Sequence, residues 1–298
     1  MKKVFPFVRF KTLRALSQVC RPSVFRWLLL PLAAMRAWFK ACPPDMAVPA
    51  VIGGVPVLRG TRQERRDYFL NNTLSFLPEQ LARPDWRSRC TFTGLEAFEE
   101  CLRRGRPAVL AVCHFGPVYL LRLWLQAAGL PAATLVTGQA SERDYLKRLK
   151  DSATLFPAMP TVFYPHQLRE VTRFLATGKA LVIAVDKLSG HLVEVPAAPG
   201  WNFQMATGAI RLAARHRAGL FPCQIIDEGN WHFRVELGRP VPEAYLTEDP
   251  NISAAGQHLV AAWLPRFRSH PHQCTSMIFD CFKPAVSQPE PLASRSLV

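Results

Sequence analysis

The stretch Ala108–Leu125, AVLAVCHFGPVYLLRLWL, decides the fold class. The apolar run Ala108 to Cys113 has the length and composition of a buried strand, and it stops at His114. Gly116 then stands as a helix cap. Pro117 suits the first helical position, where its missing N–H is an orphan in any case. An apolar helix, Pro117 to Ala128, follows and is ended by Gly129. One imidazole therefore lies between the C-terminal end of a strand and the N-terminal end of a helix. Open α/β sheets bind ligands in that crevice, and a helix N-terminus favours negative charge.

The same alternation continues outward. Strand Ala132 to Val136 precedes a polar helix, Ser141 to Asp151. Strand Thr161 to Tyr164 leads to a helix from Gln167 to Thr177, in which Leu168, Val171, Thr172 and Leu175 share one face and Gly178 is the cap. Strand Ala180 to Val185 ends at Asp186. A helix from Ala206 to Arg217 gives way to strand Leu220 to Ile226. The turn Glu228-Gly229-Asn230 then leads into Trp231, Phe233, Val235 and Leu237, which alternate with polar residues as in a half-buried hairpin strand. A last helix, Ser253 to Leu264, is expected to stop at Pro265. Upstream, residues 60 to 105 read as mostly helical, with Phe69, Phe76, Leu77 and Leu81 as core candidates, and Glu96 to Arg104 as a short helix before Gly105. Helix–strand alternation of this kind predicts an α/β fold with a largely parallel central sheet flanked by helices.

Composition limits the function classes. Of the 298 residues, 49% are hydrophobic, ample for a core, and the net charge is +15, which favours an anionic partner. The charge is concentrated at the start: Lys2, Lys3, Arg9, Lys11, Arg14, Arg21, Arg26, Arg36 and Lys40 all precede the first acid, Asp45. Large apolar residues lie among them. A basic amphipathic helical segment over residues 1–45 suits an acidic membrane surface, where each charge contributes about 1 kcal/mol. Arg26, Pro31 and Arg36 interrupt Val24–Phe39, whose uncharged run is far short of the ~20 residues needed to span. The segment is expected to lie on the cytoplasmic face of the inner membrane, with a single α/β domain over 46–284 and a loose tail over 285–298. The 8 cysteines are scattered without a Cys-x-x-Cys pair, which reads as reduced thiols rather than a disulfide framework or a zinc site. No nucleic-acid module, phosphate loop or metal spacing accompanies the charge.

Several stretches resemble one family. His114 with the helix behind it is similar to the signature of the lipid A (late) acyltransferases, within the wider glycerolipid acyltransferase-like group. Gly178–Gly190 (GKALVIAVDKLSG) resembles that family's strand ending in Asp before a glycine turn. His191–Gly208 (HLVEVPAAPGWNFQMATG) resembles its strand, loop and Ala-Thr-Gly helix start. Trp231–Pro240 resembles its late strand, and His270–Gln273 (HPHQ) its C-terminal His-Pro-Glu-Gln. The likeness spans about residues 90 to 284. The family signature is His, four residues, then Asp or Glu; here the fifth residue is Tyr119. Tyr164-Pro165-His166-Gln167-Leu168 and Ser276–Phe282 also depart from the family pattern.

The resemblance implies a glycerolipid acyltransferase-like fold. It further implies transfer of a fatty acyl chain from acyl carrier protein or acyl-CoA to a hydroxyl of a glycolipid or lipid-linked saccharide. No cofactor beyond the thioester co-substrate is implied. His114 would be the general base, a role that typically contributes ~100- to 10,000-fold. An orienting carboxylate can be worth about four orders of magnitude in the serine protease case. Tyr119 is neutral at pH 7 and offers one hydrogen bond. Asp186 is the alternative orienting acid, because it too ends a central strand and belongs at the same sheet edge; its other reading is a turn or helix cap. Phe115 and Gly116 are expected to line the substrate site. Thr207 and Gly208 would place backbone amides near an oxyanion or phosphate, or simply start a helix. Arg143, with Lys147, Arg148 and Lys150, would meet an acidic carrier or lipid phosphate, or form a solvated face. Cys113 is expected to be a buried structural thiol, since adjacent strand residues face opposite ways. A catalytically inactive relative that binds lipid or carrier is the second reading.

Overall fold

The computed structural model describes residues 20–39, 50–57, 88–130, 132–136 and 161–285. The basic lead before Cys20, the core candidates Phe69 to Leu81, the polar helix carrying Arg143, and the tail from residue 286 lie outside these residues. Within them, α1 is Pro22–Phe39, β1 Ala50–Ile52, β2 Val55–Val57, β3 Cys90–Thr93, α2 Glu96–Arg103, β4 Ala108–Val112, α3 Val118–Ala127, β5 Ala132–Leu135 and β6 Val162–Phe163. There follow α4 Leu168–Leu175, β7 Ala180–Ala184, β8 Leu192–Ala198, β9 Trp201–Ala206, α5 Gly208–Arg215, β10 Gly219–Gly229, β11 His232–Leu237, α6 Ile252–Ser269, α7 Ser276–Cys281 and β12 Phe282–Pro284.

A seven-stranded sheet in the order β3-β11-β10-β4-β7-β5-β6 forms the centre. Strands β10, β4, β7, β5 and β6 run parallel. The hairpin strand β11 is antiparallel to β10, and β3 is parallel to β11. Every residue of β4 is buried, because both faces of a parallel sheet are covered and its strands become continuous apolar runs. Side chains alternate accordingly. Ala108, Leu110 and Val112 pack with Phe25 and Leu29 of α1, Phe98 of α2, and Leu120 and Trp124 of α3. Val109, Ala111 and Cys113 pack with Val171 of α4, Ile210 of α5, and Leu259 and Trp263 of α6. The α/β architecture with a mostly parallel sheet is therefore as expected.

Two local expectations are corrected. The last helix does not stop at Pro265; α6 runs through it to Ser269. An interior proline costs about 3 kcal/mol. Packing on both sides offsets it: Trp263, Leu264 and Phe267 are buried, at ~1.5–3 kcal/mol for a fully buried side chain. Arg266 also grips Glu236 of β11 with Nε and Nη2 at 2.9 and 2.7 Å. Second, Leu168 does not join the buried face of its helix. It stands at the first position of α4, 52% exposed, while Val171 and Leu175 are buried.

A second, antiparallel sheet, β12-β9-β8, flanks the end of β7. The Ala206 N–H donates to the Val185 carbonyl at 2.8 Å, so Ala206 closes β9 rather than opening a helix. Among the described residues, no helix is long and apolar enough to cross a membrane.

Gly94 and Gly105 both hold φ near +70° at the ends of α2, but only Gly94 is pressed on a neighbour. A Cβ there would collide with the Leu237 carbonyl oxygen, whereas nothing lies within 4 Å of one at Gly105. Gly105→Ala is expected to cost ~1 kcal/mol of left-handed strain. Gly94→Ala is expected to cost at least about 2 kcal/mol more, because backbone must move. Urea denaturation of the two variants checks the difference.

Candidate active site

The end of β4 and the end of β7 are in register. Val112 pairs with Ala184, and the Val185 N–H donates to the Val112 carbonyl at 2.9 Å. Two residues further on each chain come His114 and Asp186, opposite one another. The Asp186 carboxylate uses both oxygens on His114. Oδ2 accepts the His114 backbone N–H at 2.7 Å, and Oδ1 accepts the ring Nδ1–H at 2.7 Å. An ionised carboxylate can only accept, so the proton on that side belongs to Nδ1; in the neutral ring the lone pair is then on Nε2. Asp186 is 1% exposed and His114 6%. A carboxylate so buried is stable only when hydrogen-bonded and paired. The dyad therefore holds the imidazole in one orientation, with Nδ1 on Asp186 and Nε2 the nitrogen that could accept a proton.

The chain leaves β4 through a tight loop. The Phe115 N–H donates to the Cys113 carbonyl at 2.7 Å, and the Gly116 N–H to the Gln273 carbonyl at 2.9 Å. Gly116 has φ +56°, and a Cβ there would strike the Ile225 carbonyl oxygen. Only glycine fits, and the turn it makes launches α3. Phe115 does not line the site. It is buried in the core against Phe267, with ring centroids 5.5 Å apart, on the side away from the dyad.

Tyr119, five residues after His114, is 41% exposed on the first turn of α3. Its ring stands edge-on to the imidazole with centroids 6.2 Å apart. It borders the base on the solvent side, while Asp186 holds it from within. Thr207 lies after β9, buried; its hydroxyl donates to the His191 carbonyl at 3.2 Å and accepts from Arg211 Nε at 3.1 Å. It ties α5 to the loop that follows Asp186. Gly208 is the first residue of that helix. Arg143 lies outside the described residues. Burial, and then the Asp186 charge, push the Cys113 thiol well up, so it is inert as a nucleophile at neutral pH.

Four of the exposed large apolar side chains follow the C-terminal ends of parallel strands: Tyr119 after β4, Leu168 after β6, and Leu188 and Leu192 after β7. Tyr119 borders His114, and the other three follow strands that end at the same edge of the sheet. Sequence reasoning placed Tyr119 at the site but put Leu168 on the buried face of its helix and gave Leu188 and Leu192 no role, because only the topology brings these strand ends to one edge. Among the described residues no cluster of His, Cys, Asp or Glu suited to a metal ion is present.

No curated protein matches the chain. A family model for bacterial lipid A biosynthesis acyltransferases matches residues 79–264, more than half of the chain and the whole span from β3 to the middle of α6. Both residues of the dyad fall within it. The chain thus belongs to the bacterial lipid A biosynthesis acyltransferase family, whose members pass an acyl group from a donor to a lipid acceptor.

Proposed function

We propose that this protein moves a fatty acyl chain from an acyl carrier protein or coenzyme A thioester to a hydroxyl of a glycolipid or lipid-linked saccharide. The observation that carries this reading is the His114–Asp186 dyad, with Nε2 left as a base. Nε2 takes the proton of the acceptor hydroxyl as its oxygen forms a bond to the thioester carbonyl carbon. The carbon–sulfur bond then breaks, and the leaving thiolate takes the proton back from the imidazolium. Asp186 fixes the ring and stabilises its charged form meanwhile. No acyl-enzyme is required. The apolar rim of Tyr119, Leu168, Leu188 and Leu192 supports a substrate that is itself greasy.

The first described helix supports work at the cytoplasmic face of a membrane. On α1, Phe25 and Leu29 are buried against the domain, while Val24, Trp27 and Leu28 are exposed, Trp27 by 69%. Arg21 is exposed beside them. Over Arg21–Leu29, one face of the helix docks on the domain, and the other presents apolar side chains beside Arg21, a surface suited to anionic lipid.

The second reading, an inactive relative that binds lipid or carrier, is favoured by one observation: Tyr119 replaces the motif acid. Turnover separates the two. His114→Ala and His114→Gln are expected to lower acyl transfer by ~100- to 10,000-fold, measured by mass spectrometry of the lipid product. Transfer that survives both changes rules out the base. Lipid binding with no turnover in the unaltered protein selects the second reading.

Membrane attachment has its own test in co-sedimentation with vesicles of phosphatidylglycerol and phosphatidylcholine. Binding is expected to weaken as salt screens the basic face. Trp27→Ser is expected to lower the partition coefficient by about tenfold, the equivalent of ~1.4 kcal/mol. Binding that ignores salt and Trp27 contradicts the surface reading.

A further inference from the structure

We propose that Gln273 is a positioning residue for His114. Its kinetic consequences rest on the reading of His114 as the base; its structural consequences do not.

Gln273 lies in the short helical turn Pro271–Gln273 after α6, beyond the span matched by the family model, and is 2% exposed. Its side-chain amide acts as a substitute strand residue. Nε2 donates to the Asp227 carbonyl at 2.7 Å, and Oε1 accepts the Asp227 N–H at 3.0 Å. Both groups of one β10 residue are thus satisfied where β10 has outrun its neighbour: the last β4–β10 pair is Ala111 with Pro222. This double bond fixes the segment from Gln273 onward to β10.

That segment then holds the loop that carries His114. The Gln273 carbonyl accepts the Gly116 N–H at 2.9 Å, and the Thr275 N–H donates to the His114 carbonyl at 3.3 Å. Phe115 and Cys274 form an antiparallel bridge between the two segments. Gly116 is closed in from its other side by the Ile225 carbonyl and by Gln273 Oε1, which an added Cβ would approach to 3.1 Å. The loop thus has two anchors. Asp186, just past the end of β7, holds the ring and the His114 N–H. Gln273 holds the His114 carbonyl side through the segment it begins. Losing the second anchor lets the loop shift while Asp186 stays in place, so the Nδ1–Oδ1 contact and the aim of Nε2 change together. A misplacement of about 1 Å at such a site costs ~100-fold in rate.

The test compares Gln273→Met and Gln273→Glu with Gln224→Met. Gln224 is a fair control: it is also buried on β10 and bonded through its amide, to Glu236 at 3.1 Å, with no bond to the loop. Gln273→Glu keeps the size and the acceptor oxygen but, in its ionised form, cannot donate to the Asp227 carbonyl, so it is read at a pH where the new carboxyl is ionised. The first readout is the low-field proton signal of His114 Nδ1–H, assigned by its loss in His114→Gln. It is expected to shift or broaden in both Gln273 variants and to stay in place in Gln224→Met. The second is kinetic. kcat is expected to fall by tenfold to ~100-fold in the Gln273 variants, with KM for the thioester unchanged within about threefold. Urea midpoints of all three variants show what is lost to stability alone. If Gln273→Met does not fold, the isosteric Gln273→Glu carries both readouts. The proposal is overturned if the His114 signal is the same in the Gln273 variants as in the unaltered protein, or if Gln224→Met moves it equally. A protein without transferase activity removes the kinetic readout and leaves the spectroscopic one to decide, so the failure of the functional reading is distinct from the failure of this one.

Discussion

A carboxylate sealed from water must have its charge answered, and His114 answers Asp186 twice, through its backbone N–H and through Nδ1. The rest of the site follows from that pair. It needs two adjacent parallel strands ending at the same level, which the β4–β7 register supplies. It needs a loop that turns away at once, which Gly116 permits. It also needs packing that keeps solvent out from behind, which Cys113, Phe115 and Cys281 provide from the core below.

The sheet explains why an acid from another strand can serve where the family signature places one on the helix. Residue 119 sits one turn into α3 and borders the imidazole from the solvent side. Residue 186 approaches along the sheet, where strand spacing fixes its distance. The second position is the more rigid, since β7 is buried between β4 and β5 and hydrogen-bonded on both edges. The side of the ring that carries Nδ1–H is therefore set by Asp186 with no acid at residue 119. Tyr119 is thereby left to the rim, where an exposed aromatic ring suits contact with apolar substrate.

The alternation of strands and helices was legible because each parallel strand is a continuous apolar run bounded by a cap or glycine. The shared edge of His114 and Asp186 was legible for the same reason: strand-end residues of a parallel sheet gather at one side. Other features were hidden by competition between local rules and packing. Pro265 obeys a local rule for stopping a helix, and Trp263, Phe267 and Arg266 override it. Leu168 fits a helical stripe but stands at the first position of its helix, a turn before the buried Val171. Phe115 is next to His114 in sequence, and the tight loop after β4 buries it in the core against Phe267. The work of Gln273 depends on Asp227 and Gly116, both distant in the chain, and no periodicity connects them.

The central claim is that Asp186, and not the residue five places after His114, keeps the imidazole in its working form. Single-turnover acyl transfer by Asp186→Asn and by Tyr119→Phe, measured side by side, tests it most directly. The account predicts a loss of ~1,000- to 10,000-fold for Asp186→Asn and a change within about fivefold for Tyr119→Phe. Comparable losses in both, or an Asp186→Asn protein that turns over at the normal rate, contradict it.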